Sequence, residues 1–303
     1  LGDQIDLADA ISQRSRDSCR EVLGAEMKNP VQHMIASGFL LSLFCAGVGV
    51  MQAQQSGGAT VEQHPRFQPQ LVTKTVSVIN PPARGSVTTT LKGTELAPNA
   101  SGQTELQMGD VEVTVKVKAN GLGEPGRFGA QFETYLVWAI TPSGKTFKLG
   151  AMEAKGNRFE LNTKTAVRSF AIVVTAEPYQ QVTRPADTIV LEVPAGSQTV
   201  AASCEFLKGG YAPVGYQFPP IDTGVGYPPQ ILQMYNARRI ATLAAAEGTR
   251  NFKMGDELFD SVVFSAKQQK KFTGTILSQA NTATQYFEAA RGQALQPLMQ
   301  ESR

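Results

Sequence analysis

The stretch TYLVWAITPSGKTFKLGAMEA, residues 134–154, decides the fold. Its opening run, Thr134 to Ile140, is apolar nearly throughout, the composition of a central strand buried on both faces. TPSG (141–144) then supplies a turn, with Pro142 at the second position and Gly144 at the fourth. TFKLGAMEA (146–154) is the return strand of that hairpin. Trp138, in the most apolar of these segments, is expected in the interior of the β-structure.

The same pattern continues on both sides. In VEVTVKVKA (111–119), Val111, Val113, Val115 and Val117 face one way and Glu112, Thr114, Lys116 and Lys118 the other, as in a strand with one wet face. LVTKTVSVI (71–79), RFELNT (158–163), SFAIVVTA (169–176) and TIVLEV (188–193) complete the set. About seven or eight short strands with frequent turns predict an antiparallel, Ig-like β-sandwich over 71–195.

The character changes at 196–229, where Gly, Pro and aromatic residues crowd the stretch from Glu205 onward. Pro and Gly oppose regular structure, so this reads as a linker whose Tyr and Phe side chains lie on the sandwich, or as an exposed recognition segment. Residues 230–303 read as an α-helical hairpin or three-helix tail. Pro228 and Pro229 open it, Gly248 stops the first helix, and the second has acids at Asp256–Glu257 and lysines near its end. In the third, Ile276, Ala280, Ala283, Phe287, Ala290 and Ala294 recur at steps of four and three, a narrow stripe suited to pairing with another helix. The preceding helices can cover part of it, and a second copy or another envelope protein is expected to cover the rest.

Before the β-region, Lys28 precedes an uncharged apolar run from Gly38 to Val50. Thirteen such residues fall short of the roughly 20 of a membrane span and suit the core of a signal peptide. This predicts a signal peptide over 27–53, with cleavage after Ala53, a leader of upstream or disordered character over 1–26, and a polar linker over 54–70. The protein would then be exported, periplasmic or in the cell envelope, touching a membrane only through that segment if it stays uncleaved. Beyond the signal segment Cys204 is the sole cysteine, which leaves no intramolecular disulfide.

The composition excludes more than it includes. Hydrophobic residues make up 42% of the 303, enough for a packed core, and a net charge of +2 gives no electrostatic case for nucleic acid. There are two histidines, His33 in the signal segment and His64 in the polar linker, so neither a Cys/His zinc site nor a Ser-His-Asp triad has a rigid base. No Gly-rich phosphate loop joins a strand to a helix. We therefore expect no catalytic residue, no metal and no cofactor.

Residues 121–192 carry a resemblance. Tyr135, Trp138-Ala139-Ile140, Pro142, Gly144, Leu149-Gly150 and Glu177-Pro178 lie in a pattern similar to a β-sandwich domain of acidobacterial envelope proteins, a type often fused to OmpA-type domains. More distantly, the pattern resembles the extracytoplasmic domain of anti-sigma-K-type factors. The resemblance implies an envelope location and an Ala-rich helical region after the sandwich, which Tyr235 to Ala241 resembles. Peptidoglycan binding is not carried over, because no OmpA-type domain is recognised after residue 296, and sigma-factor inhibition is not expected, because residues 1–26 are too short for a sigma-binding domain and lack its zinc ligands. The expected function is a non-catalytic envelope protein with a β-sandwich spacer and a helical association module. The alternatives are a membrane-anchored anti-sigma-type regulator and a secreted ligand- or carbohydrate-binding module.

Overall fold

The computed structural model describes residues 66–301, except 197–198, 222–225 and 269–271. Ala53, the apolar run and the leader lie outside the described residues. Among the described residues eleven strands are followed by three helices. The strands are β1 (Gln70–Ile79), β2 (Gly85–Gly93), β3 (Ser101–Met108), β4 (Val113–Asn120), β5 (Thr134–Ile140), β6 (Thr146–Ala151), β7 (Glu153–Lys155), β8 (Arg158–Thr165), β9 (Ala171–Glu177), β10 (Ile189–Glu192) and β11 (Thr199–Lys208). The helices are α1 (Pro229–Leu243), α2 (Arg250–Gln268) and α3 (Gly274–Glu301).

Nine strands form one antiparallel sheet in the order β6-β5-β9-β10-β2-β3-β4-β8-β7. Its two ends are consecutive in the chain: β6 pairs with β5 and β7 pairs with β8, with Met152 between them. The Met152 N–H donates to the Tyr135 carbonyl at 2.9 Å, so one run of backbone nearly closes the sheet on itself. A β-bulge at Leu149, where Val137 pairs with Gly150 and Trp138 with Lys148, marks the bend. The expected single return strand over 146–154 is thus split, because its halves serve opposite ends of the sheet. β1 and β11 form a separate two-stranded ribbon.

Alternation along β5 and β9 sorts three cores. Tyr135, Val137 and Ala139, with Ile172, Val174 and Ala176, point into the curled sheet. Ile140, Ala171 and Val173 face outward under the ribbon, against Val76, Val78 and Phe206. Leu136 and Trp138 also face outward, against Met234, Ala237, Phe287 and other helix residues. Both strands are buried at every residue because each has a cover on either side. Trp138 is 2% exposed, but it lies between the sheet and the helices rather than in the sandwich interior. The sequence specifies a two-faced buried strand but not which layer covers which face.

Other boundaries differ for local reasons. The β4 alternation holds from Val113, while Val111 is 78% exposed. β2 and β3, polar and rich in Thr, Gln and Gly, are held by pairing with each other and with β10 and β4. β11 occupies 199–208, so the 196–229 segment is not wholly a linker. α1 ends at Leu243, before Gly248: Ala245 takes a positive φ of 55° and the Ala246 N–H donates to the Ala241 carbonyl, a Schellman ending. α2 begins at Arg250 because Thr249 caps it, its Oγ1 accepting from the Phe252 N–H at 3.1 Å. Among the described residues no helix is long and apolar enough to cross a membrane.

Candidate functional site

Polar side chains concentrate where the helices meet the sheet, around residues 178–187 between β9 and β10. β9 delivers two of them on its outward face, Thr175 and Glu177, both fully buried. Trp138 Nε1 donates to Thr175 Oγ1 at 2.9 Å, and Thr175 Oγ1 donates to Glu177 Oε1 at 2.5 Å. The Ala186 N–H donates to the same oxygen at 2.8 Å, so Glu177 ties the end of the connection back to the strand that starts it.

The middle of the connection is fastened from several elements. Lys148 of β6 donates to the carbonyls of Gln180 and Val182 at 2.6 and 3.0 Å. From α1, Gln233 Oε1 accepts from the Gln180 N–H, and Asn236 Nδ2 donates to the Pro178 and Gln131 carbonyls. From β11, the Leu207 N–H donates to the Pro185 carbonyl at 2.8 Å.

α3 contributes a buried ion pair. Arg291 Nε and Nη2 donate to the two carboxylate oxygens of Glu288, both at 2.8 Å. Glu288 also accepts from Tyr179 Oη at 2.7 Å and from the N–H and hydroxyl of Thr183. Arg291 Nη1 donates to the Gly210 carbonyl, and the guanidinium lies 4.4 Å from the Tyr211 ring centre. Burial pushes the Glu288 carboxyl up, but the Arg291 charge and the converging hydrogen bonds more than offset this and leave it below the usual carboxylate range. Glu177 behaves oppositely. Burial pushes its carboxyl up to about 8, against the hydrogen bonds from Thr175 and Ala186, with Glu288 adding to the rise and Arg291 opposing it.

The residues expected from the sequence have structural places. Tyr135 lies inside the curled sheet and its hydroxyl donates to the Leu122 and Gly123 carbonyls. Pro142 and Gly144 make the β5–β6 turn, where the Gly144 N–H donates to the Thr141 carbonyl at 2.9 Å. Gly144 has φ +80°, and a Cβ there would come within 2.4 Å of the Ser203 carbonyl oxygen. Leu149 and Gly150 form the bulge, and Glu177 and Pro178 lead from β9 into the fastened connection. In the stripe, Ile276, Ala280, Ala283, Phe287 and Ala290 are buried within the chain, and Ala294 is half-buried against the same core. That stripe is therefore spent on the chain's own sheet and helices rather than on an associating helix. The aromatics from Glu205 onward are also covered: Phe206, Tyr211 and Phe218 are buried, and Tyr216 and Tyr227 half-buried. An exposed ring platform is not formed from them.

The sequence reading missed Glu288 and Arg291. Thr284, Glu288, Arg291 and Leu295 follow the same steps of four and three, one column beside the apolar stripe, and all four are buried. That parallel spacing is the signal that could have found them. Two open hollows flank the connection and share Thr183 and Arg184 in their walls. One, of about 330 Å³, is also lined by Arg291, Gln296 and Gln300, and the other, of about 600 Å³, by Thr73, Lys145 and Ser203. Among the described residues no three His, Cys, Asp or Glu side chains converge as metal ligands would. No protein-family model matches the chain, and no curated protein is significantly similar to it.

Proposed function

We propose that the chain is a non-catalytic protein of the cell envelope, a rigid β-scaffold that carries a helical layer and works by contact with a partner. The observation that supports this reading is where the fold places its buried charges. Glu288 and Arg291 are directed at each other and at residues 179, 183 and 210, and so lock α3 to the sheet. A buried pair of this kind specifies one docking geometry more than it adds net stability. A scaffold gains from such a device because its outward surfaces stay in fixed register.

We read the curled sheet with its ribbon as the sandwich-like spacer, and the outward side of the helical layer as the association surface. That side carries Phe264 and Leu298, 66% and 39% exposed. The partner is another envelope protein or a second copy of the chain. The export part of the reading rests on Lys28, the run from Gly38 to Val50, and Ala53.

The test is fractionation of the native cells with sequencing of the protein's N-terminus. The expected result is an envelope-side protein beginning near Gln54. A cytoplasmic protein that retains residues 1–50 would overturn the proposal. Cross-linking in those cells should give a discrete adduct that Phe264→Glu weakens; an unchanged adduct would exclude the helical layer as the contact.

A further inference from the structure

One acidic side chain in the sheet–helix interface is not built into an ion pair. Glu177 is fully buried, Oε1 accepts from Thr175 and Ala186, and Oε2 has no hydrogen-bond partner. Arg291 of α3 already has hydrogen bonds to both Glu288 oxygens and to Gly210. A buried carboxylate with one bare oxygen carries a large desolvation penalty, whereas the neutral acid carries much less.

We propose that Glu177 is the trigger of a conformational latch: as a neutral acid it holds the helical layer on β5 and β9, and as an anion it loosens that layer and residues 178–187. Four charged or ionisable groups face it from the surrounding elements. Glu288 and Arg291 come from α3, Lys148 from β6, and Tyr211 from the segment after β11. Burial pushes Tyr211, and Tyr179 beside it, well above the ordinary tyrosine value, so both stay neutral while Glu177 titrates. Lys148 is the cation of the set that is not paired with a carboxylate. Its Nζ holds the Gln180 and Val182 carbonyls, and a bare Glu177 oxygen competes with them for it. Turning Lys148 toward Glu177 releases both carbonyls, and with them the connection that α1 and α3 grip through Gln233, Asn236 and Glu288.

The direction with pH follows from linkage. Glu177 keeps its proton in the folded state up to about 8, above the ordinary 4.5, so the docked state weakens as pH rises between those values and is fully protected below them.

Trp138 is the sole tryptophan of the chain, and its N–H is two hydrogen bonds from the Glu177 carboxyl. The experiment is a titration of Trp138 fluorescence in the full chain from about pH 6 to about pH 9, where exposed tyrosines are still largely neutral. Hydrogen exchange of α1 and α3, corrected for the intrinsic rate, is measured alongside. We expect one fluorescence step near pH 8, with protection of α1 and α3 falling as pH rises from about 6 towards 8 and levelling off above it, while that of β2 to β4 holds. Glu177→Gln keeps the neutral shape and should remove the step. The proposal is overturned if the wild type shows no step, if the step survives in Glu177→Gln, or if the step occurs with helix protection unchanged.

Discussion

Arg291→Leu is the most informative perturbation of the sheet–helix interface. Arg291 is 3% exposed and supplies two of the hydrogen bonds to Glu288, one to the Gly210 carbonyl, and the contact with the Tyr211 ring. Leucine preserves much of the apolar bulk but leaves the Glu288 carboxylate buried without a cation. Breaking a buried pair from one side costs about 3–5 kcal/mol, which is a large share of the stability of an ordinary domain. Glu288→Leu should cost a similar amount, because it strands Arg291. The double variant removes both charges and leaves only neutral groups unpaired: the Tyr179 hydroxyl and Thr183 without their acceptor, and the Gly210 carbonyl without its donor. It should therefore be no less stable than either single variant, a coupling of about 3 kcal/mol or more. Urea unfolding followed by Trp138 fluorescence measures all four forms, since that ring sits in the same interface. pH supplies a second check. In the wild type Glu288 lies below its ordinary value, so its stabilisation is present above about 4.5 and is lost as pH falls through the depressed folded value. In Arg291→Leu the cation that offsets burial is gone and only the hydrogen bonds from Tyr179 and Thr183 still oppose it, so Glu288 rises and the gap to wild type should narrow as pH falls from neutral. Additive single variants, or a gap constant with pH, would refute the argument that this pair holds the helices.

Trp138→Ala should cost about 3–5 kcal/mol, from a buried ring lost between two layers, and should loosen the helices first; an unchanged thermal midpoint would place the ring at the surface. Gly144→Ala meets both a positive φ and the Ser203 carbonyl at 2.4 Å, so a loss of at least about 2 kcal/mol by denaturant midpoint is expected, with the β1–β11 ribbon displaced. Ala245→Gly relieves the left-handed φ of 55° at the end of α1 and should raise stability by about 1 kcal/mol in the same assay.

The sequence by itself determined the local periods. Thr134–Ile140 is a strand with the expected bounds because its apolar, β-branched run has no other stable use, and the valines from Val113 to Val117 alternate into the core. The turn at Pro142–Gly144 and the three C-terminal helices were legible for the same reason: their signals lie within a few residues. β2 and β3 were not legible, because Thr, Gln and Gly become a strand there only through hydrogen bonds to neighbours across the sheet. Nor could periodicity say which cover meets each face of β5, so it placed Trp138 inside the sheet when the helices cover it from outside. The candidate site was least legible of all. Glu177, Glu288 and Arg291 are ordinary charged residues in the sequence, and their chemistry comes from burial, which only the packing of α1 and α3 onto the sheet creates.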